Sequence, residues 1–98
     1  MFYGMKNIDL YKELVIVVAD ETGIGESEIL HSNLEEAVDA RYILIYLLSL
    51  KLTDSQISAL TNLTRQSVNK IRNNFRYKER KWSVAMNLQR ISNRIATG

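Results

Sequence analysis

The sequence predicts an all-α domain, a compact bundle of about five helices that contains a helix-turn-helix. Three observations carry this expectation. With no proline and only four glycines in 98 residues, few positions force the backbone out of regular structure. Apolar residues recur at helical spacing along each long segment. Between residues 53 and 64, two capping threonines bracket a short turn around Asn62. A single domain spanning 1–98 follows, with no linker or repeat inside it and with residues 1–7 expected as a flexible or extended start. A chain of this length hides roughly 60–65% of its unfolded surface, enough for one core.

Asn7 is expected to cap a first helix on which Leu10, Leu14, Val17 and Val18 share a face, with Asp9 in the favoured first turn. The β-branched run Val15-Ile16-Val17-Val18 would by itself suit a strand. Gly23 and Gly25 end the pattern, and Glu26 to Leu30 can form one short helical turn. Ser32 with Glu35, or Asn33 with Glu36, reads as a capping box opening the longest helix. Leu34, Val38, Tyr42, Ile45 and Leu48 repeat along that helix, and Leu44 and Leu47 add apolar surface on further sides, so it is the expected centre of the bundle. In the last helix Val84, Leu88, Ile91 and Ile95 form the buried stripe, with Trp82 expected to anchor its start as a core or rim residue; stacking on a base is the alternative for Trp82, and Tyr77 is open between the same two roles.

Composition limits the chemistry. There is no cysteine and one histidine, His31, so the usual zinc sets and nucleophilic dyads lack members. Glu35 and Glu36 diverge by about 100° on a helix, poor geometry for joint acid-base work. No catalytic residue, metal or cofactor is expected. The longest apolar run, Tyr42 to Leu48, is far short of the roughly 20 residues that span a bilayer. Without thiols, disulfides or a leader-like start, a reducing, cytoplasmic setting is expected.

The charge is divided. Residues 1–50 hold three cations (Lys6, Lys12, Arg41) and nine anions, a net −6; residues 51–98 hold ten cations and two anions (Asp54, Glu79), a net +8. Such asymmetry points to a polyanionic partner, nucleic acid first. The competing explanation is that the two halves neutralise each other.

Thr53-Asp54-Ser55-Gln56 reads as a capping box, followed by a short helix through Ile57 and Leu60. Asn62 is a residue that tolerates the left-handed conformation of a tight turn. Thr64 then caps a helix on which Val68, Ile71 and Phe75 fall on one stripe. Burying that stripe points Gln66, Asn69, Lys70 and Asn73 outward, and Thr64 to Lys78 contains no acid. Arg65, Gln66, Asn69 and Asn73 are therefore the expected base contacts, because amides pair two-fold with adenine and arginine with guanine. Arg41, Lys51, Thr53, Ser55, Thr64, Lys70, Arg76, Lys78, Arg80 and Lys81 are the expected phosphate contacts. An alternative is a helical adaptor that binds a protein through an acidic surface of Glu26, Glu28, Glu35, Glu36 and Asp39.

Val18-Ala19 with Gly23-Ile24, then Ala40-Arg41-Tyr42-Ile43-Leu44-Ile45-Tyr46-Leu47, then Leu52-Thr53 to Ile57, run parallel to segments of one known family. Over roughly Ile8 to Ile95 the chain resembles the C-terminal DNA-binding domain of the bacterial replication initiator DnaA, a helix-turn-helix domain related to the Trp repressor fold. There the long stretch reads Ala-Arg-Gln-Ile-Ala-Met-Tyr-Leu, and its arginine touches the DNA backbone, which implies a phosphate role for Arg41. The family signature Gly-Arg-Asp-His-Thr-Thr-Val falls on Asn62-Leu63-Thr64-Arg65-Gln66-Ser67-Val68, with only Val68 identical, and the basic loop is replaced by Asn33-Leu34-Glu35-Glu36. The resemblance thus implies a shared scaffold with a different DNA preference, in a transcription regulator or replication accessory of bacterial, phage or mobile-element origin. No Gly-x-x-x-x-Gly-Lys-Ser/Thr loop is present, so no nucleotide switch is implied.

If about five phosphates are contacted, log affinity for duplex DNA falls with log salt at a slope of about −4 to −5. A titration across a salt series measures the slope, and a value near zero removes the polyanion as partner.

Overall fold

In the computed structural model, which describes residues 6–97, the β-branched run Val15-Ile16-Val17-Val18 lies inside a helix, α1 (Asn7–Thr22). Burial decides the matter. Leu10, Tyr11, Leu14, Val15 and Val18 face the core while Ile16 stays exposed. Strand preference spans about 1 kcal/mol, whereas burying one aliphatic side chain contributes about 1.5–3 kcal/mol. Lys6 rather than Asn7 is the N-cap residue, and it makes no side-chain capping bond. Of the segment expected to be extended, residues 1–5 lie outside the described residues and Asn7 is already helical.

Gly23 ends α1 with φ 75°, its N–H donating to the Ala19 carbonyl at 2.8 Å. Beside it the Thr22 hydroxyl donates to the Val18 carbonyl (2.7 Å) and accepts from the Ile24 N–H (3.3 Å). The expected short turn is α2 (Glu26–His31), which brings the helices to six among the described residues, with no strand. The Tyr11 hydroxyl donates to Glu26 at 2.7 Å and ties α2 to α1; burial, then the Glu26 carboxylate, push that phenol's pKa up.

The long helix α3 (Glu35–Ser49) starts without the expected capping box. Its N-cap residue is Leu34, with no side-chain bond, and the Ser32 hydroxyl instead accepts from the Leu34 N–H at 3.1 Å. Glu35, which the box would need folded back, reaches across the bundle to Lys81. Ile43, Leu44, Ile45, Leu47 and Leu48 are all buried, so apolar surface runs around much of α3, and all five other helices pack on it.

α4 (Asp54–Thr61) and α5 (Arg65–Lys78) follow, joined by Asn62–Thr64. The capping box at the start of α4 forms in full: Thr53 Oγ1 accepts from the Gln56 N–H (3.2 Å) and Gln56 Oε1 accepts from the Thr53 N–H (2.9 Å). Asn62 is left-handed (φ 64°), the one non-glycine residue with positive φ among those described. Thr61 repeats the device of Thr22, donating to the Ile57 carbonyl (2.8 Å) and accepting from the Leu63 N–H (3.2 Å). The Ser58 hydroxyl holds the Leu63 carbonyl from the other side. Thr64 caps α5 by accepting from the Ser67 N–H at 3.0 Å. Val68, Ile71 and Phe75 are buried as the spacing requires, and Phe75 stacks on Tyr46 of α3 with ring centroids 4.2 Å apart and planes 7° from parallel.

In α6 (Trp82–Thr97) Val84 and Ile91 are buried, with Leu88 and Ile95 packed against the core. Trp82 does not anchor the helix as expected, being 74% exposed. Two residues before Val84, it points about 160° away from the buried stripe.

Thr22-Gly23-Ile24 and Thr61-Asn62-Leu63 are the same turn with glycine in one and asparagine in the other. Because the Asn62 side chain is exposed, Asn62→Gly should leave the thermal unfolding midpoint unchanged or slightly raised. Asn62→Val should cost about 1–2 kcal/mol in denaturant titration, the left-handed penalty of a branched side chain.

Candidate nucleic-acid interface

Fixing Val68, Ile71 and Phe75 inward sets every other direction on α5. Arg65, Gln66, Asn69, Lys70, Asn73 and Arg76 are all exposed, and the outermost line runs Gln66, Lys70, Asn73, Tyr77 at helical spacing. The four expected base contacts therefore share one surface. Asp54, Arg65, Gln66 and Asn69 border an open depression of about 390 Å³ where α5 begins beside α4.

A residue absent from the sequence reading organises that end. The Arg72 guanidinium grips Asp54 two-fold, Nε to Oδ1 at 2.9 Å and Nη2 to Oδ2 at 3.0 Å. The Asn69 amide donates to the same carboxylate at 3.1 Å, and Asn73 donates to Asn69 Oδ1 at 3.1 Å. The Arg72 and Asn69 donors hold the Asp54 carboxyl below its usual pKa. Asp54, Asn69 and Asn73 thus form a relay that orients two amides, while the head groups of Arg65 and Gln66 make no hydrogen bond to a described residue, the Arg65 charge also favouring the ionised Asp54. The signal for Arg72 was Asp54 itself, one of only two acids after residue 50.

The expected phosphate contacts divide. Thr53, Ser55 and Thr64 lie at the N-terminal ends of α4 and α5, whose first N–H groups carry partial positive charge. Lys51, Lys70 and Arg76 are exposed and make no ion pair with a described residue. Arg41 is used elsewhere: its Nε donates to the Ile29 carbonyl (2.7 Å) and its Nη2 to the Ser32 carbonyl (2.6 Å), closing the end of α2. Burial lowers its pKa from the ordinary arginine value. Arg80 lies over the Tyr77 ring at 5.2 Å. Lys81 binds Asp39 Oδ2 at 2.6 Å and also Glu35, and these carboxylates raise its pKa. Lys78 sits 3.2 Å from Asp39 Oδ1, off the axis of a hydrogen bond, and 4.6 Å above the Tyr42 ring.

Part of the charge division is therefore internal pairing. Asp39, although 93% buried, is held by two lysines of the second half, and Arg94 reaches Asp20 at 3.3 Å. Of the acids of the alternative adaptor face, Glu35 and Asp39 bind lysines and Glu26 binds Tyr11, while Glu26, Glu28, Glu35 and Glu36 are all exposed and Asp39 alone is buried. Among the described residues no group of acids and histidine could hold a metal ion, and no helix is long and apolar enough to cross a membrane. No protein-family model, curated protein or solved structure matches the chain. The likeness to the DnaA domain rests on the sequence segments quoted above.

Arg41→Ala should release the α2 carbonyls and cost about 1–2 kcal/mol of stability, read in denaturant titration, while changing duplex affinity less than twofold. A large loss of affinity at unchanged stability would return Arg41 to a phosphate role.

Proposed function

We propose that this protein is a non-enzymatic, sequence-specific binder of double-stranded DNA. It acts through a helix-turn-helix, with α4 as the supporting helix and the outward face of α5 in the major groove. One observation carries the reading: α5 has no acid among its 14 residues, and on its exposed face Arg65, Lys70 and Arg76 form no ion pair with a described carboxylate, while Arg72 there is bound to Asp54. A surface helix without a polyanionic partner gains from mixed charge along its length.

Arg65 and Gln66, whose head groups at the start of α5 make no hydrogen bond to a described residue, are the strongest base readers. Asn69 and Asn73 read as an oriented pair, because the Asp54 relay limits which of their donors and acceptors face the groove. Lys51, Thr53, Ser55, Thr64, Lys70 and Arg76 hold phosphates. Lys78 and Lys81 contribute less than their charge suggests, since Asp39 and Glu35 already bind them. The DnaA-like segments favour a regulator of transcription or an accessory of replication, and the changed signature favours a target unlike the family's replication-origin box.

Selection from a random duplex pool, followed by competition binding, tests this. Arg65→Ala, Gln66→Ala or Asn69→Ala should each cost about 1–3 kcal/mol on the preferred site and relax the preference there. Lys70→Ala should weaken all sequences alike and reduce the salt slope by about 1. Unaltered site preference in all three base-reader variants would sink the groove assignment, and recovery of the DnaA box as the top motif would sink the changed specificity.

A further inference from the structure

Beyond the groove-facing half of α5, the helix ends in a surface of different character. Tyr77 is 68% exposed and Trp82 is 74% exposed, on either side of the turn between α5 and α6. A folded domain gains by covering side chains of this size, and both have apolar bodies that the core does not use. Neither takes part in the base or phosphate contacts proposed above.

Their neighbours indicate what they face. Between residues 76 and 82 the chain carries Arg76, Lys78, Arg80 and Lys81 against one acid, Glu79. Asp39 and Glu35 occupy the two lysines, which leaves Arg76 and Arg80 as the cations not bound to carboxylate. Arg80 lies over Tyr77 at 5.2 Å, and the ring is still mostly open. Tyr77, with Tyr42, Asn74, Lys78 and Lys81, borders an open depression of about 410 Å³ that combines ring surface, an amide and ammonium groups. The exposed aliphatic residues Ile8 and Ile16 lie on α1, and Leu34 and Leu50 flank the two ends of α3, so none belongs to the segment 76–82, whose exposed residues apart from Glu79 are aromatic and cationic. Aromatic faces beside arginines suit bases with an accompanying phosphate chain. In a duplex the base faces are stacked on one another, so the matching ligand is unpaired.

We propose that the α5–α6 corner is a stacking platform for unpaired bases of single-stranded DNA, built on Tyr77 and Trp82 with Arg76 and Arg80 holding the backbone. The choice of DNA over RNA rests on the duplex reading above, since the same helix carries both surfaces. The ligand class is then DNA that is partly opened beside the duplex site.

Trp82 is the chain's sole tryptophan, so its fluorescence reports on the corner directly. The whole protein is titrated with a fifteen-residue oligothymidylate, with the matching oligouridylate, and with a blunt duplex of the same length. Oligothymidylate should quench Trp82 and the duplex should not. Tyr77→Ala should weaken that binding by about five- to hundredfold. Trp82→Ala should weaken the binding of a labelled oligothymidylate, followed by anisotropy, by a similar factor. Gln66→Ala should leave it unchanged. Both aromatics are exposed, so the variants should melt as the parent does. Absence of quenching by oligothymidylate, equal quenching by the duplex, or tighter binding of oligouridylate would each overturn the proposal. So would Trp82 emission that shifts with protein concentration alone, which would mark the corner as a contact between copies. Duplex binding measured in parallel keeps the two readings apart: duplex bound without quenching by oligothymidylate removes the platform alone, whereas quenching without duplex binding retains the platform and removes the groove assignment.

Discussion

A helix that is apolar around most of its circumference has to be enclosed, and the rest of this fold is arranged by that need in α3. Ile43, Leu44, Ile45, Leu47 and Leu48 cover successive directions around its axis, and each is buried. At about 1.5–3 kcal/mol for each aliphatic side chain taken from water, no local preference elsewhere competes with covering them. The helical state of Val15 to Val18 is one consequence, since α1 is one of the helices that enclose α3. The placement of α5 is another: Phe75 stacks on Tyr46, and with Val68 and Ile71 it settles which side of α5 meets water.

Electrostatics then refine an arrangement that packing has already set. Ten of the chain's thirteen lysines and arginines are in the second half, yet Asp39 and Glu35 draw Lys78 and Lys81 onto the start of α3. Two lysines beside a buried carboxylate offset the cost of removing it from water, a cost of several kcal/mol for an unpaired ion. The positive surface left over is narrower than the sequence implies. Its cations in the second half are Arg65, Lys70 and Arg76 on the outward side of α5, Arg80 at the corner, Lys51 before α4 and Arg90 on α6.

The proposed DNA-facing surface combines a fixed frame with adjustable tips. The Thr53 and Thr64 caps, the left-handed Asn62 and the Thr61 bonds leave the α4–α5 turn little freedom. The two-fold Arg72–Asp54 pair fixes the carboxylate, and the single amide bonds of the exposed Asn69 and Asn73 that hang on it can exchange with water or a ligand. A frame of that kind limits the ordering needed on binding, while the side chains can still adapt to the bases they meet.

Much of this was legible in the sequence, and the legible part is local. A helix cap, a left-handed turn residue and a buried stripe are each specified by residues within about four positions of one another, so Thr53 with Gln56, Asn62, Thr64 and the Val68-Ile71-Phe75 spacing could be read directly and with them the outward face of α5. The capping box at Ser32 and Glu35 failed although its pattern was present, because Glu35 found Lys81, 46 residues away. Arg41 turned to the α2 carbonyls, Arg72 to Asp54, and Lys78 and Lys81 to Asp39. Trp82 was left outside because the buried side of α6 faces the opposite way. The Trp82 direction follows from the helical period of α6, but tertiary structure alone decided the partners of Glu35, Arg41, Arg72, Lys78 and Lys81: a long polar side chain takes whichever partner the packed helices bring within reach, and nothing periodic in the sequence records where distant helices meet.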